Sequence, residues 1–436
     1  MAQKARGGWL GGRVRPEREE SIVPERFEAF LFDVDGVVCL GNEPLPRARE
    51  SLALLRRAGK GIRFLTNDPR PTRAEVSARL QGMGIEARVE EVVSSGWATA
   101  GYLAEEGISA ACVIGSESLR SEIRGADVEV ADAVESPEAV VVGGDERASY
   151  WHVEAAAGLI SAGARFVATN PDGSFPVPGG RAPGTGALVA AVAAASGRRP
   201  DEVVGKPSPR MFELALAGVG APPERIAVVG DDPETDVLGA HRSGLTAILV
   251  SKSPSVSPSP RDFRVPDATI PDLALLLDPG FEVGAWEKPT FEWPERVAAG
   301  VAAVVFDDAG GVLLGRRADN GLWGLPSGRV EPGETVKEGA VREVAEETGL
   351  VVEAQRLVGV YSDPASQVFA YPGGEVVQFV TCCFRCLVLA GEPRPDGEET
   401  VEVAFFDPEE LPPDLLPMHP RWLSDALPYE GATSVR

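Results

Sequence analysis

The chain has 436 residues, 44% of them hydrophobic, with a formal charge of −24 and a pI near 4.7. That length and apolar content support more than one core, and the acidity argues against duplex nucleic acid or an anionic membrane as a partner. No apolar run approaches membrane-spanning length, the start lacks the hydrophobic region of a signal peptide, and five cysteines fit a reducing compartment, so a cytoplasmic protein is expected.

Residues 1–24 are predicted to be a flexible basic tail. From 29 to 38 the chain reads AFLFDVDGVV, a short apolar run ending in Asp33 and Asp35. This is the pattern of a buried parallel strand that delivers carboxylates to its C-terminal tip, the edge where open α/β sheets bind ligands. An EF-hand is excluded, because Val37 and Leu40 stand where further acidic ligands are needed. Three later segments repeat the design of an apolar run with a polar tip. GIRFLTND places Thr66 and Asn67 at a strand end, VVGKPSP places Lys206 in a loop, and RIAVVGDDPETD places Asp231 and Asp236 after another strand. Lys206 is one of six lysines in an arginine-rich chain. The region between Thr66 and Lys206 is too long for a connection and has its own α/β pattern, so an inserted cap is expected.

In order and spacing these four segments resemble the haloacid dehalogenase superfamily of phosphatases. Within the cap, VVVGGDERASYWHVEAAAGLI and ARFVATNPDGSFPVPGGRAPGTGALVAAV narrow the resemblance to one branch. That branch holds the N-acetylglucosamine-operon phosphatase, para-nitrophenylphosphatases and pyridoxal phosphatase, and the likeness covers about residues 27 to 275. It implies that Asp33 attacks phosphorus, an attack on a dianion that needs a cation to offset the repulsion. Magnesium would be held by Asp33, Asp231 and the backbone carbonyl of Asp35, with Asp236 bracing Lys206 or the metal shell. Asp35 would protonate the leaving alcohol and then activate water. Thr66, the amide of Asn67 and Lys206 would hold the phosphoryl oxygens, while Asn170 and Asp172 would face the site from the cap and Phe175 to Gly180 would help choose the substrate. An ordinary turn is the other account of Asn170-Pro171-Asp172. One position departs from the branch, which has Thr-Asn-Asn-Ser where this chain has Thr66-Asn67-Asp68-Pro69. The added charge either weakens anion binding or faces away.

SKSPSVSPSP, residues 251 to 260, is expected to be a surface loop, and PDATIPDLALLL a last short strand and helix of the phosphatase core. Residues 279–296 are expected to be a linker. Its Trp286, Phe291 and Trp293 are too apolar for a free tether and are expected to pack against a domain.

Residues 328 to 350 read GRVEPGETVKEGAVREVAEETGL. Glu343, Glu346 and Glu347 stand three and four apart on a predicted helix, so they share a face and are expected to converge on one point. Hard carboxylate oxygens so placed select magnesium or manganese. A solvated acidic helix is the bland alternative. Gly328 and Gly333 form a loop before the helix, and Gly349 suits a left-handed C-cap. Every defined position matches the Nudix box, G-x5-E-x7-R-E-U-x-E-E-x-G-U with U aliphatic, so this segment resembles a Nudix hydrolase domain. The resemblance implies metal ligands at Glu343, Glu346, Glu347 and the carbonyl of Gly328. It also implies that Arg342 orients Glu343 and that Glu334 supports the cluster. Substrate selection falls outside the box, where Trp323 and the segment Tyr361 to Phe379 are candidates; for Trp323, packing is favoured over base stacking.

Cys382, Cys383 and Cys386 lie in VTCCFRCLVL, a β-like run whose neighbours point to opposite faces, which favours core packing over a zinc site. His152, His241 and His419 fall in no motif and are expected to be surface or packing residues.

The expected fold class is α/β, with a Rossmann-like parallel-sheet phosphatase core (25–102 and 199–278) interrupted by an α/β cap (103–198). The linker then leads to a Nudix α/β/α sandwich with a mixed sheet (297–416) and a C-terminal tail (417–436). The expected function is a bifunctional hydrolase with magnesium in both sites, or manganese in the Nudix site. The Nudix domain would cleave a nucleoside-diphosphate-type substrate, and the phosphatase would dephosphorylate a monoester through an aspartyl-phosphate, with sequential action compatible with the fusion. The alternatives are a Nudix domain that regulates the phosphatase by binding a ligand, or two activities on unrelated substrates. Partners are small phosphorylated metabolites or nucleotides, and a homo-oligomer is compatible with the sequence.

Overall fold

The strand Ala29–Asp33 is buried at every position, as is Ile226–Gly230, so both faces of their sheet are covered. That explains apolar runs without polar alternation. The structure, a computed structural model, describes residues 26–130, 136–177, 180–252, 259, 261–371, 375–428 and 431–436. The tail expected at 1–24 and most of the stretch 251–260 lie outside the described residues. Contacts divide the chain into two compact units, Met1–Lys288 and Pro289–Arg436.

In the first unit six parallel strands lie in the spatial order Ala268–Ile270, Thr246–Val250, Ile226–Gly230, Ala29–Asp33, Gly61–Thr66 and Val92–Ser94. Side chains alternate across it: Phe30 and Phe32 enter one core, Leu31 and Val228 the other. Because the strands all run one way, their C-terminal ends form a single edge. A stretch expected to be helical, Leu273–Leu277, is instead a 3₁₀ turn.

The inserted cap carries its own five-stranded parallel sheet, in the order Glu202–Val203, Arg165–Ala168, Ala139–Val142, Ala110–Ile114, Glu129–Val130. Glu202–Val203 was expected within the phosphatase core, which was to resume at 199. It pairs with the cap strand Arg165–Ala168 instead, where the Asp201 carboxylate accepts a hydrogen bond from the Phe166 N–H at 2.7 Å. The return to the core therefore comes after Val203.

The linker expected at 279–296 is also shorter. Phe281 and Val283 pack on the phosphatase core, and Trp286 stacks on His241 at 4.0 Å with its backbone N–H donating to the Asp267 carboxylate. An aromatic ring seated in this way belongs to the first unit.

The second unit is an α/β/α sandwich around a mixed sheet. Its strand Arg296–Phe306 runs parallel to Val376–Ala390, which pairs antiparallel with Val351–Tyr361. The helix Val336–Thr348 covers one face through Ala340 and Val344. A capping box between Thr335 and Glu338 starts it, and Gly349, at φ 69°, ends it in the left-handed conformation. The three cysteines follow the strand's alternation, Cys383 toward one core and Cys382 and Cys386 toward the other. Burial pushes the Cys386 thiol up to about 12, as suits an inert packing group.

Residues 417–436 are not a tail. The helix His419–Ala426 puts Trp422, Leu423 and Ala426 into the core on the other sheet face, and Ser434–Val435 adds a parallel strand beside Gly359 and Val360. Without that helix the apolar face built by Val304, Val358 and Cys383 would be left to water. Trp422→Ala should destabilise the C-terminal unit by about 3–5 kcal/mol, the usual cost of emptying a buried tryptophan site. Denaturant titration of the intact chain, followed by a probe in that unit, would measure it.

Candidate active sites

The shared edge of the six-stranded sheet gathers one constellation. Asp33 ends its strand, Thr66 ends the next, and Asp231 follows Gly230 on the other side. Lys206 Nζ lies 2.6 Å from Asp33 Oδ1 and 2.6 Å from Asp236 Oδ1, and all three groups are buried. Burial works against the charge on Lys206, but Asp236 and Asp33 outweigh it and hold the ammonium above its ordinary pKa. Carboxylate oxygens of Asp33, Asp231 and Asp236 lie within 4.8 Å of one another. Burial, with Asp236 and Asp231 adding to it, raises Asp33 well above the usual carboxylate range despite Lys206. Desolvation and Asp236 push Asp231 up to about 7, although it keeps exposed surface at the cleft. Three acids against one lysine leave excess negative charge, and hard oxygens at that spacing suit a divalent cation such as magnesium. Asp236 is the most committed of the three: Oδ1 accepts from Lys206, and Oδ2 from the N–H groups of Asp231 and Asp232.

Gly36 makes the close approach possible. Its φ is +106°, and a methyl group there would run into the Asp231 carboxylate. Asp35 is held from the helix Arg73–Gly82, whose Arg79 reaches both carboxylate oxygens at 3.2 and 3.3 Å.

Asn67 is a hub. Its Oδ1 accepts from Lys206 N, and its Nδ2 faces Lys206 O and both oxygens of Asp172. Its backbone carbonyl accepts from Ser95 Oγ and Asn170 Nδ2, each at 2.7 Å. Thr66 Oγ1 accepts from the Asp68 N–H at 3.1 Å. The two cap residues expected to face the site are both tied to Asn67. Asn170 is buried with both ends of its amide used inside the protein, on Asn67 O and the Asp172 N–H, and it serves to join cap to core. Asp172 faces the site but is bonded to Asn67, with its carboxyl raised by burial. Ser95, Arg79 and Arg70 were not singled out from sequence. Ser95 had a usable signal, since VVSSG is another apolar run with a polar tip; the arginines reach in from positions that carry no local motif.

In the second unit Arg342 organises the acids. Its Nε and Nη2 bond Glu334 at 3.0 and 2.8 Å, while Nη1 bonds Glu343 at 3.0 Å and Glu346 at 2.8 Å. Arg342 pulls Glu334 down to about 2. Glu343 lies on the backbone of Gly328, where a methyl group would collide with its carboxylate. Glu347, 9% exposed, accepts from the Ser327 N–H at 3.3 Å, and burial pushes it up to about 8. The expected convergence of Glu343, Glu346 and Glu347 on one point is corrected: among the described residues only the aspartates form a trio that tight. Arg342 takes Glu343 and Glu346, and Glu347 turns to the Ser327 amide. Glu343 on the Gly328 backbone and the buried Glu347 on the Ser327 amide are still hard oxygen donors that fit a hard cation. Trp323, a candidate selector for which packing is favoured, packs edge-on against Phe406 at 4.9 Å and borders the core.

Glu347 gives a pH dependence. An acid raised by folding binds a proton that the unfolded chain has already released, so stability falls as pH rises from the unfolded value near 4.5 through about 8. The metal-free chain should therefore lose stability in its C-terminal unit between pH 5 and 8, Glu347→Gln should flatten that slope, and magnesium should offset it. Thermal melts across this range, with and without the ion, would check all three.

Residues 296–427 match the NUDIX domain, residues 30–129 the haloacid dehalogenase-like hydrolases, and residues 203–274 a second model of that kind. Mouse chronophin is 41% identical over 234 residues, which cover 51% of this chain and 80% of that protein. Dihydroxyacetone phosphatase of Corynebacterium glutamicum (strain R) is 35% identical over 268 residues, 60% of this chain and 96% of that protein. Among solved structures, glycerol phosphate phosphatase from Mycobacterium tuberculosis in complex with magnesium superposes with a TM-score of 0.53 at 31% identity, over 59% of this chain and 78% of that one. Among the described residues no helix is long and apolar enough to cross a membrane. The chain is thus a hydrolase that belongs to the haloacid dehalogenase-like phosphatases in its N-terminal half and carries a C-terminal NUDIX domain.

Proposed function

We propose that the chain is a bifunctional, magnesium-dependent hydrolase of the cytoplasm. Its NUDIX site cuts a nucleoside-diphosphate-type or related cofactor-type metabolite, and its phosphatase site removes phosphate from a monoester. The observation that carries the phosphatase half is the buried Lys206 lying 2.6 Å from both Asp33 and Asp236, with Asp231 completing an acidic cluster that has too little cation.

On this reading an Asp33 oxygen attacks phosphorus, the bond to the leaving alcohol breaks, and Asp35 gives that alcohol its proton. Water then attacks the aspartyl-phosphate while Asp35 takes a proton back, and the phosphorus–aspartate bond breaks to release phosphate. Lys206 and the Thr66 hydroxyl hold the phosphoryl oxygens, and Arg79 fixes the orientation of Asp35 through its two-pronged contact. Asp33, Asp231 and the Asp35 carbonyl would hold magnesium, which would supply charge to offset the repulsion between carboxylate and phosphate. In the NUDIX site Glu343, Glu347 and the Gly328 carbonyl would hold magnesium or manganese, with Glu346 on the exposed side and Arg342 setting Glu343. The names of dihydroxyacetone phosphatase and glycerol phosphate phosphatase point to small phosphorylated metabolites as the substrate class. A diphosphate cut by the NUDIX site leaves a phosphomonoester, the chemistry the other site consumes, which supports action in sequence.

Asp33→Asn should lower phosphate release from monoesters by about a thousandfold or more while diphosphate cleavage persists, and Glu343→Gln should do the reverse. Both activities would be scored on the intact chain against a panel of monoesters and nucleoside diphosphate derivatives. Phosphate release that survives in Asp33→Asn would show the assigned nucleophile to be wrong.

A further inference from the structure

Asp68 adds a negative charge next to the phosphoryl-binding residues, and the structure shows what balances it. Arg70 Nε and Nη2 bond the two oxygens of Asp68 at 2.7 and 2.9 Å, and the Arg70 N–H bonds Oδ1 at 3.0 Å. The guanidinium plane, fixed by that fork, lies over the ring of Phe175 with 4.6 Å to its centroid, and Nη1 reaches Glu146 at 3.1 Å. Phe175 and Glu146 both belong to the cap. The stem of Arg70 runs over Gly144, where a methyl group would stand 3.0 Å from its Cγ, and the Arg70 carbonyl accepts from Ser116 Oγ at 2.7 Å. Four cap positions thus meet one arginine of the core loop. Glu146 is exposed and adds little, so the fork to Asp68 and the stacking on Phe175 carry the contact. The hydrogen bonds to Asp68 come first among the influences that hold Arg70 above the usual arginine pKa, and the charge of Asp35 also reaches it. Phe175 lies three residues beyond Asp172, whose carboxylate is bonded to Asn67, so its hairpin borders the phosphoryl site.

We propose that Asp68 and Arg70 form a clamp between the phosphoryl-binding loop and the cap. In it Arg70 is the positioning residue that holds the hairpin Ser174–Val177 and Gly180–Pro183 as a wall of the substrate pocket, and so sets which leaving groups are accepted. A charge that would repel phosphate is instead spent in orienting an arginine. The role in specificity rests on the phosphatase reading; the clamp itself does not.

The test uses the intact chain with Arg70→Ala, Arg70→Lys and Asp68→Asn. Amide hydrogen exchange in the two hairpin strands should quicken about tenfold in Arg70→Ala, with the strand Ala29–Asp33 unchanged. Arg70→Lys should not restore protection, because an ammonium cannot fork to Asp68 and stack on Phe175 together. Asp68→Asn should fall between. With p-nitrophenyl phosphate and glycerol phosphate as substrates, Arg70→Ala should shift the ratio of their kcat/KM values by about threefold or more, through KM rather than kcat. Unchanged exchange in Arg70→Ala refutes the clamp. Faster exchange with an unchanged ratio refutes its role in specificity. A wild-type chain inactive on every monoester overturns the phosphatase reading and the specificity role with it, while the exchange result still decides the clamp.

Discussion

Lys206 stands between Asp33 and Asp236 at 2.6 Å from each, and a third carboxylate, Asp231, shares the same few ångströms. The backbone dictates this crowding. Asp33 is the last residue of a fully buried strand, Asp231 follows its parallel neighbour, and the registers Ala29 with Ile226 and Phe32 with Val229 leave their tips side by side. The acids cannot separate without moving strands whose two faces are packed. The charge must be met where it is, by a cation or by protons, and burial together with the neighbouring acids pushes Asp33 and Asp231 upward.

The second unit meets the same constraint with different means. A helix face sets acids one turn apart, but their side chains are long enough to choose partners, and Arg342 draws Glu343 and Glu346 while Glu347 goes to a backbone amide. Asp33 and Asp231 are placed by neighbouring strand ends and Asp236 by the short helical turn Pro233–Val237 that follows, all on short side chains, whereas the longer glutamates of the helix reach whatever cation or donor is nearest. This difference accounts for the tight trio in one site and the arginine-centred arrangement in the other.

Much of the fold could be read in the sequence because its signals were local. Buried parallel strands show as unbroken apolar runs, and AFLFD, GIRFLT and IAVVG became the sheet strands that carry Asp33, Thr66 and the approach to Asp231. The cysteines' alternation in a β run placed them in the core for the same reason. What escaped was set by tertiary contact. Glu202–Val203 is a two-residue strand with no pattern of its own, defined only by its pairing with Arg165–Ala168. The helix His419–Ala426 begins beside proline and is short, so its core role depends on a sheet face that sequence periodicity does not reveal. Arg79 meets Asp35 across 44 residues and Asn67 meets Asp172 across 105, distances over which spacing carries no information. The bonding of Asn170 escaped for a related reason. Its position in the loop was legible, but whether its amide would face a ligand or Asn67 depended on how closely the cap approaches the core.

The glycines beside the acids show a device common to both units. Gly36 seats Asp231, Gly230 seats Asp236, and Gly328 seats Glu343; at each, an added methyl group would overlap the carboxylate. A carboxylate laid directly on the backbone is held close to the chain without a longer loop. It also loses water on that side, which strengthens its need for a positive partner. A turn could often accept asparagine or aspartate where it uses glycine, whereas a seat of this kind accepts no side chain at all. The glycines in D-x-D-G, in V-V-G-D-D and before R-V-E-P are therefore part of the acidic sites, and they mark where the chain lets a charged group touch its backbone.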